Sequence, residues 1–238
     1  MELIERLQFF NALDAFAVCL LVIAWAGIDL LIENPGAKRP SVATLMADYR
    51  RAWFEQLITR DPRIFDSNIL SIMRQGASFF ASACMIAIGG GLALIGNTES
   101  LLGVASDLTL QAAPAIVWEV KLLVILLFVA NAFLKFVWSL RLFGYCAVVM
   151  ASVPNDPTDP DAAIRAAQSA EINITASRSF NRGMRSIYFA LSAVAWLLGA
   201  WALIVAVAIT LIMLWRREFA SHSRTILLLP QTQDTSKE

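Results

Sequence analysis

The chain has 238 residues, 58% of them hydrophobic and 16% charged, with a mean hydropathy of +0.63. Soluble domains are about 45–50% apolar and about 25% charged, so this composition excludes both an ordinary soluble domain and a disordered chain. Lys plus Arg and Asp plus Glu each number 19, which removes the basic footprint a nucleic-acid binder needs.

Four apolar blocks reach the roughly 20 residues a helix needs to cross the hydrocarbon. The first spans about 12–32 and carries no charge between Asp14 and Asp29. Its N-terminal flank holds Glu2 and Glu5 against Arg6, and no short apolar core with a small-residue cleavage site follows, so it reads as a retained helix. The second spans about 76–96, the third about 117–137, and the fourth, 186–215, has no charge at all. The fold class expected is all-α: a polytopic membrane protein with four transmembrane helices and helical cytoplasmic extensions. Residues 1–220 form one integral membrane domain, and 221–238 a polar, disordered tail.

Lys and Arg counts set the orientation. The connection between the first two blocks holds Lys38, Arg39, Arg50, Arg51, Arg60, Arg63 and Arg74. The next connection, from Asn97 to Trp118, holds none, and the third holds Lys135, Arg141, Arg165, Arg178, Arg182 and Arg185. The first and third connections are therefore expected in the cytoplasm and the N-terminus outside, in a cell inner membrane. The tail conflicts with this scheme: four spans would put Arg216, Arg217 and Arg224 outside as well. A reversal near Gly199 would bring the tail back, but arms of about 15 residues, roughly 22 Å, are short for a crossing. No Pro or polar turn residue marks a reversal, so one long tilted helix is the preferred reading and a hairpin the alternative.

The connections carry helix punctuation. Ser41 is a natural N-cap, and Val42, Leu45, Met46, Tyr49, Trp53 and Leu57 recur at helical spacing up to the break at Asp61-Pro62. Asp66 or Ser67 is expected to cap the next helix. The third helix is expected to run past Lys135 and Arg141 towards Pro154, and Asp159-Pro160 to start an Ala-rich helix.

Several stretches together resemble a bacterial and plant membrane-protein family, domain of unknown function 599. They are Tyr49-Arg50-Arg51-Ala52-Trp53 with Arg60, Arg63 and Asp66; Phe79-Phe80-Ala81-Ser82; Lys135-Phe136-Val137-Trp138-Ser139-Leu140-Arg141; Phe180-Asn181-Arg182-Gly183-Met184-Arg185 with Tyr188-Phe189; and Arg216-Arg217-Glu218-Phe219. The resemblance implies a membrane protein and imports no activity. Family members often have a Pro in the middle of the last apolar block, where this chain has Gly199-Ala200-Trp201.

Chemistry-bearing constellations are few. Gly89, Gly90 and Gly91 make a small-sided helix suited to close packing. Asp14 and Asp29 bracket the first span near its two interfaces and are expected to be wetted or paired with Lys121, Lys135 or Arg141. The arginines have two readings: positive-inside topology with structural ion pairs, which is preferred, or a site for an anionic ligand or lipid headgroup. If there is a site, Arg50, Arg51, Arg63, Asp66, Lys135, Arg141 and Arg182 are expected to converge at the inner interface. His222 is alone, Cys19, Cys84 and Cys146 are scattered, and no nucleophilic or metal-ligand spacing occurs, so neither catalysis nor a cofactor is expected. The expected role is a non-catalytic membrane scaffold or lipid-contacting protein, with membrane lipid and a homo-oligomer partner. The alternative is an oligomeric channel or transporter with its pathway between subunits.

Overall fold

A computed structural model describes residues 10–34, 39–97, 103 and 114–229, and all regular structure among them is helical. Asn11 starts the first helix: its side chain accepts from the Asp14 amide at 2.8 Å, and the Asp14 carboxylate accepts from the Asn11 amide at 3.3 Å. Helix α1 (Ala12–Glu33) then runs about 33 Å. Ser41 caps α2 (Val42–Leu57), as its type and position predict. Its hydroxyl accepts from the Thr44 amide at 3.2 Å and donates to the Ile32 carbonyl at 3.0 Å, fastening α2 to the end of α1.

Helix α3 (Ile64–Ile95) begins before Asp66 and Ser67, so neither is its cap. The Asp66 carboxylate is recruited elsewhere, accepting from the Trp53 indole at 2.6 Å and from Arg60. Helix α4 (Ala115–Ala151) does extend well past Lys135, to a length of about 55 Å. Helix α5 (Pro160–Val194) starts at the expected Asp159 cap, with Pro160 in its first turn. The second and third apolar blocks are therefore the greasy parts of longer helices. Four helical stretches are long and apolar enough to cross a membrane: Ala12–Glu33, Ile64–Ile95, Ala115–Ala151 and Ala200–Leu227. The chain is a multi-pass membrane protein.

The last apolar block is not one long helix. After α5 comes a short 3-10 turn (Ala195–Leu198), then Gly199 at φ 129° and ψ 168°, then α6 (Ala200–Phe219). That backbone region is essentially closed to residues with a Cβ, so glycine here supplies the reversal that no Pro announced. The arms run antiparallel. The Ser192 and Thr210 hydroxyls hydrogen-bond at 2.7 Å, and Arg217 donates to the Tyr188 hydroxyl at 3.3 Å. Arm length is no obstacle, because the first arm is the end of a 35-residue helix rather than half of the uncharged block.

The reversal sorts the bundle into two ends. At the hairpin end, the Trp196 indole donates to Asp14 at 2.8 Å, and Phe10 lies 5.7 Å from the Trp196 ring. The ammonium of Lys121 sits 5.2 Å over the Trp118 ring and 5.7 Å over that of Trp196. At the other end, the basic end, the close of α6 meets α2: Glu218 accepts from the Ala43 amide at 3.2 Å. Ser221 caps a short α7 (His222–Leu227), and Arg224 donates to the Pro40 carbonyl at 3.0 Å. The expected polar tail thus opens with helix docked on the first connection. Residues 230–238 lie outside the described residues.

Several helix contacts hold the bundle, among them those of α1 with α6, of α3 with α4 and of α4 with α5. Helices α1 and α6 run parallel and bury Ala17, Leu21, Ala24 and Ile28 against Ala200, Leu203, Val207 and Leu214. The three- and four-residue steps on both helices make a coiled-coil-like seam. Helices α4 and α5 share the most extensive interface, running antiparallel. There Gly183 faces the Phe136 ring so closely that an added Cβ would lie 2.8 Å from it. Phe136 in turn stacks on Phe80 at 5.3 Å and meets Phe180 edge-on at 5.4 Å. Outside this core, apolar side chains face outward along the spans: Ile86 is 76% exposed and Ile23 68%. In water that surface would be an aggregation hazard, whereas a bilayer solvates it.

Candidate functional site

The residues expected to converge lie in separate places, most of them already bonded. Arg51, on the exposed side of α2, donates to Glu171 at 2.7 Å and Asp48 at 2.8 Å. The Glu171 hydrogen bond raises its pKa above the usual arginine value. Arg63 is a staple, donating to the Val153 carbonyl at 2.6 Å and the Pro154 carbonyl at 2.7 Å, which pins the α4–α5 turn to the start of α3. Asp66 is fully buried and holds Trp53 and Arg60. Its second carboxylate oxygen and the Arg63 Nε are buried without a partner among the described residues. Arg141 is exposed and among the described residues bonds only its own helix, donating to the Tyr145 hydroxyl at 2.6 Å.

Arg182 belongs to an ion-pair cluster between α5 and α1. It pairs with Glu33, while Arg185, 1% exposed, pairs with Asp29 and, at 2.8 Å, with Glu33. Asp29 therefore takes Arg185, not Lys135 or Arg141. Lys135 lines a notch of about 340 Å³ beside this cluster, with Asn131 and Ser186 above it, and forms no bond among the described residues. The composition did not single out Glu33, although a sequence signal existed. Asp29 and Glu33 stand four apart on one helix face, and Arg182 and Arg185 stand three apart on another.

Arg50 is different. It reaches from α2 between α3 and α5, where Nη1 meets the Asn173 side-chain oxygen and, at 3.6 Å, the Met73 sulfur. Among the described residues no carboxylate pairs with it, and only Nη1 finds an acceptor. Burial without a counter-charge depresses its pKa below the ordinary arginine value. The guanidinium borders a cleft of about 440 Å³ between α2, α5 and α6. Arg178 and Arg217 line the same cleft, with Ser177, Asn181 and Ser221 as polar neighbours and Met46, Ile174 and Met184 as apolar walls. Arg178 is exposed and has no partner among the described residues. The one acidic side chain of the lining is Glu218, which is 4% exposed and engaged by the Ala43 amide and, at 3.2 Å, by Arg217.

The three glycines also divide. A Cβ on Gly91 would lie 2.6 Å from Leu126 of α4, whereas one on Gly89 or Gly90 would meet nothing within 4 Å. Gly91 is a packing residue within the chain, and the other two face open space among the described residues. Among the described residues no group of three or more His, Cys, Asp or Glu is placed to hold a metal ion.

A family model described as "Protein of unknown function, DUF599" matches residues 16–223, from α1 into α7. The chain belongs to this family. No curated protein and no solved structure matches it. The matched region contains Arg50, Arg178 and Arg217, so the cleft is built within the family domain rather than on an appended segment.

Proposed function

We propose that this member of the DUF599 family is a non-catalytic, lipid-contacting protein of the inner membrane. Its N-terminus is outside, its basic end faces the cytoplasm, and the basic cleft holds an anionic headgroup. One observation carries the reading. Arg50 is a partly buried guanidinium with no carboxylate partner among the described residues and an acceptor there for Nη1 alone, opening into a cleft shared with Arg178 and Arg217. Guanidiniums match phosphate and carboxylate geometry, and an unpaired charge in a partly desolvated site favours an anion from outside the chain. The Gly199 reversal supports the orientation, since it returns Arg216, Arg217 and Arg224 to the same end as the two basic connections.

The test is native mass spectrometry of the detergent-solubilised protein with its bound lipid. The wild type should carry acidic phospholipid, and Arg50→Gln should lower its occupancy about tenfold, equivalent to about 1.4 kcal/mol. Equal retention of zwitterionic and acidic lipid by both forms would end the proposal. Labelling of Ser223→Cys by an impermeant thiol reagent should occur only from the cytoplasmic side.

An oligomeric channel with its path between subunits draws on α3, whose Gly89 and Gly90 would bring an added Cβ within 4 Å of nothing among the described residues. A path through one subunit lacks support. Between the Asp14–Lys121 level and the Trp25–Asn131–Ser186 cluster, the buried groups among the described residues are mostly apolar, Ala17, Leu21 and Phe128 among them, and the buried Ser192 and Thr210 hydroxyls are spent on each other. A ring of four or more subunits in the same spectra would favour the channel.

A further inference from the structure

Arg50 does not only border the cleft. On the side of α3 lies a second cavity, of about 340 Å³. The two share Arg50, Ser177, Phe180 and Asn181 as a common wall. Beyond that wall the chamber is apolar: Ile72 and Met73 of α3 and Phe143 of α4 face it, with Gly76 as a gap in the α3 side. An added Cβ at Gly76 would meet nothing within 4 Å, so the absent side chain leaves open space there. Each cavity falls in the range of about 300–1,000 Å³ typical of ligand sites.

The two cavities differ in chemistry and in depth. The cleft is cationic. The chamber lies where the uncharged stretch of α3 begins, since no charged residue occurs between Arg74 and Glu99. Ile72, at its edge, is 69% exposed. A chain entering from the hydrocarbon beside Gly76 would meet apolar walls first and the Arg50 guanidinium next. That order is the polarity profile of an acidic amphiphile at the membrane interface.

We propose that an acidic membrane lipid straddles Arg50, its headgroup anion held by Arg50, Arg178 and Arg217 in the cleft and one acyl chain filling the chamber beside Gly76. This rests on the anionic-cleft reading and adds a chain seat to it. A soluble anion would use the cleft and ignore the chamber, and that difference makes the two separable.

The experiment uses the full-length protein in detergent with two probes, palmitoyl-oleoyl phosphatidylglycerol and inorganic phosphate. Retained lipid is read by native mass spectrometry and phosphate by equilibrium dialysis. Gly76→Leu fills the chamber without touching the cleft. It also raises helix propensity, so it is not expected to unfold α3, and Gly76→Ala controls for propensity while filling far less space. Arg50→Gln should weaken both probes about tenfold, and Gly76→Leu should weaken the lipid about tenfold while leaving phosphate unchanged. Wild-type lipid retention by Gly76→Leu, with loss in Arg50→Gln, would overturn the chain seat and leave the headgroup site standing. Wild-type lipid retention by Arg50→Gln would overturn both.

Discussion

Arg185 and Arg50 are arginines withdrawn from solvent in the same half of the bundle, and their surroundings are opposite. Arg185 points at α1, where Asp29 and Glu33 receive it. Arg50 points between α3 and α5, where it finds an amide oxygen and a sulfur. The first is a closed ion-pair cluster whose task is to join α5 to α1 beside a bilayer. The second is an open positive site. Arg185 is structural because the fold supplies it with carboxylates, and the proposed ligand role of Arg50 rests on the fold supplying none among the described residues.

The largest effect should come from breaking the closed cluster. Arg185→Gln leaves Asp29 without its ionic partner, and removing one member of a buried pair costs about 3–5 kcal/mol. A steep fall in the thermal midpoint in detergent is expected, partly restored by adding Asp29→Asn. If Arg185→Gln melts like the wild type, the contrast with Arg50 collapses.

A smaller effect is expected at Gly183, which lies between Arg182 and Arg185 along α5 and lets α4 approach. Gly183→Ala pushes a methyl into the Phe136 ring, an overpacking cost of about 1–3 kcal/mol. Phe136→Leu in the same chain should relieve part of it in a double-mutant cycle.

Arg51 gives the exposed limit of the comparison. Its bonds to Glu171 and Asp48 are solvent-accessible, so Arg51→Ala should cost about 0–1 kcal/mol, and less in high salt. Arg50→Gln should shift the lipid-free thermal midpoint least, because no counter-charge is left stranded. Its effect should emerge only when acidic lipid is added. A large lipid-free loss would make Arg50 a structural residue like Arg185.

Much of the helical layout was legible from local chemistry. Ser41 and Asp159 cap the helices their residue types announced, and α4 continues past Lys135 as its unbroken apolar pattern implied. Asp66 was misjudged as a cap because Trp53 and Arg60, 13 and 6 residues before it, take its carboxylate. Most of the seven charged residues expected to converge take protein partners of their own for a similar reason. Their positions along the membrane normal could be counted in residues, but the partner each would meet could not. Glu33 decided the fate of Arg182, and the Val153 and Pro154 carbonyls decided that of Arg63.

The sequence by itself determined that the chain is helical and membrane-spanning, where its apolar blocks lie, and which segments carry the positive charge. Those properties follow from summed transfer free energy and local capping, which need no knowledge of neighbours. Only the tertiary structure decided that the last block folds back at Gly199. Glycine permits that backbone conformation without requiring it, and the rungs from Ser192 to Thr210 and from Tyr188 to Arg217 exist only once the arms are paired. It also decided that Arg185 meets carboxylates while Arg50 meets none among the described residues, because ion pairing depends on distances across helices that residue order does not contain.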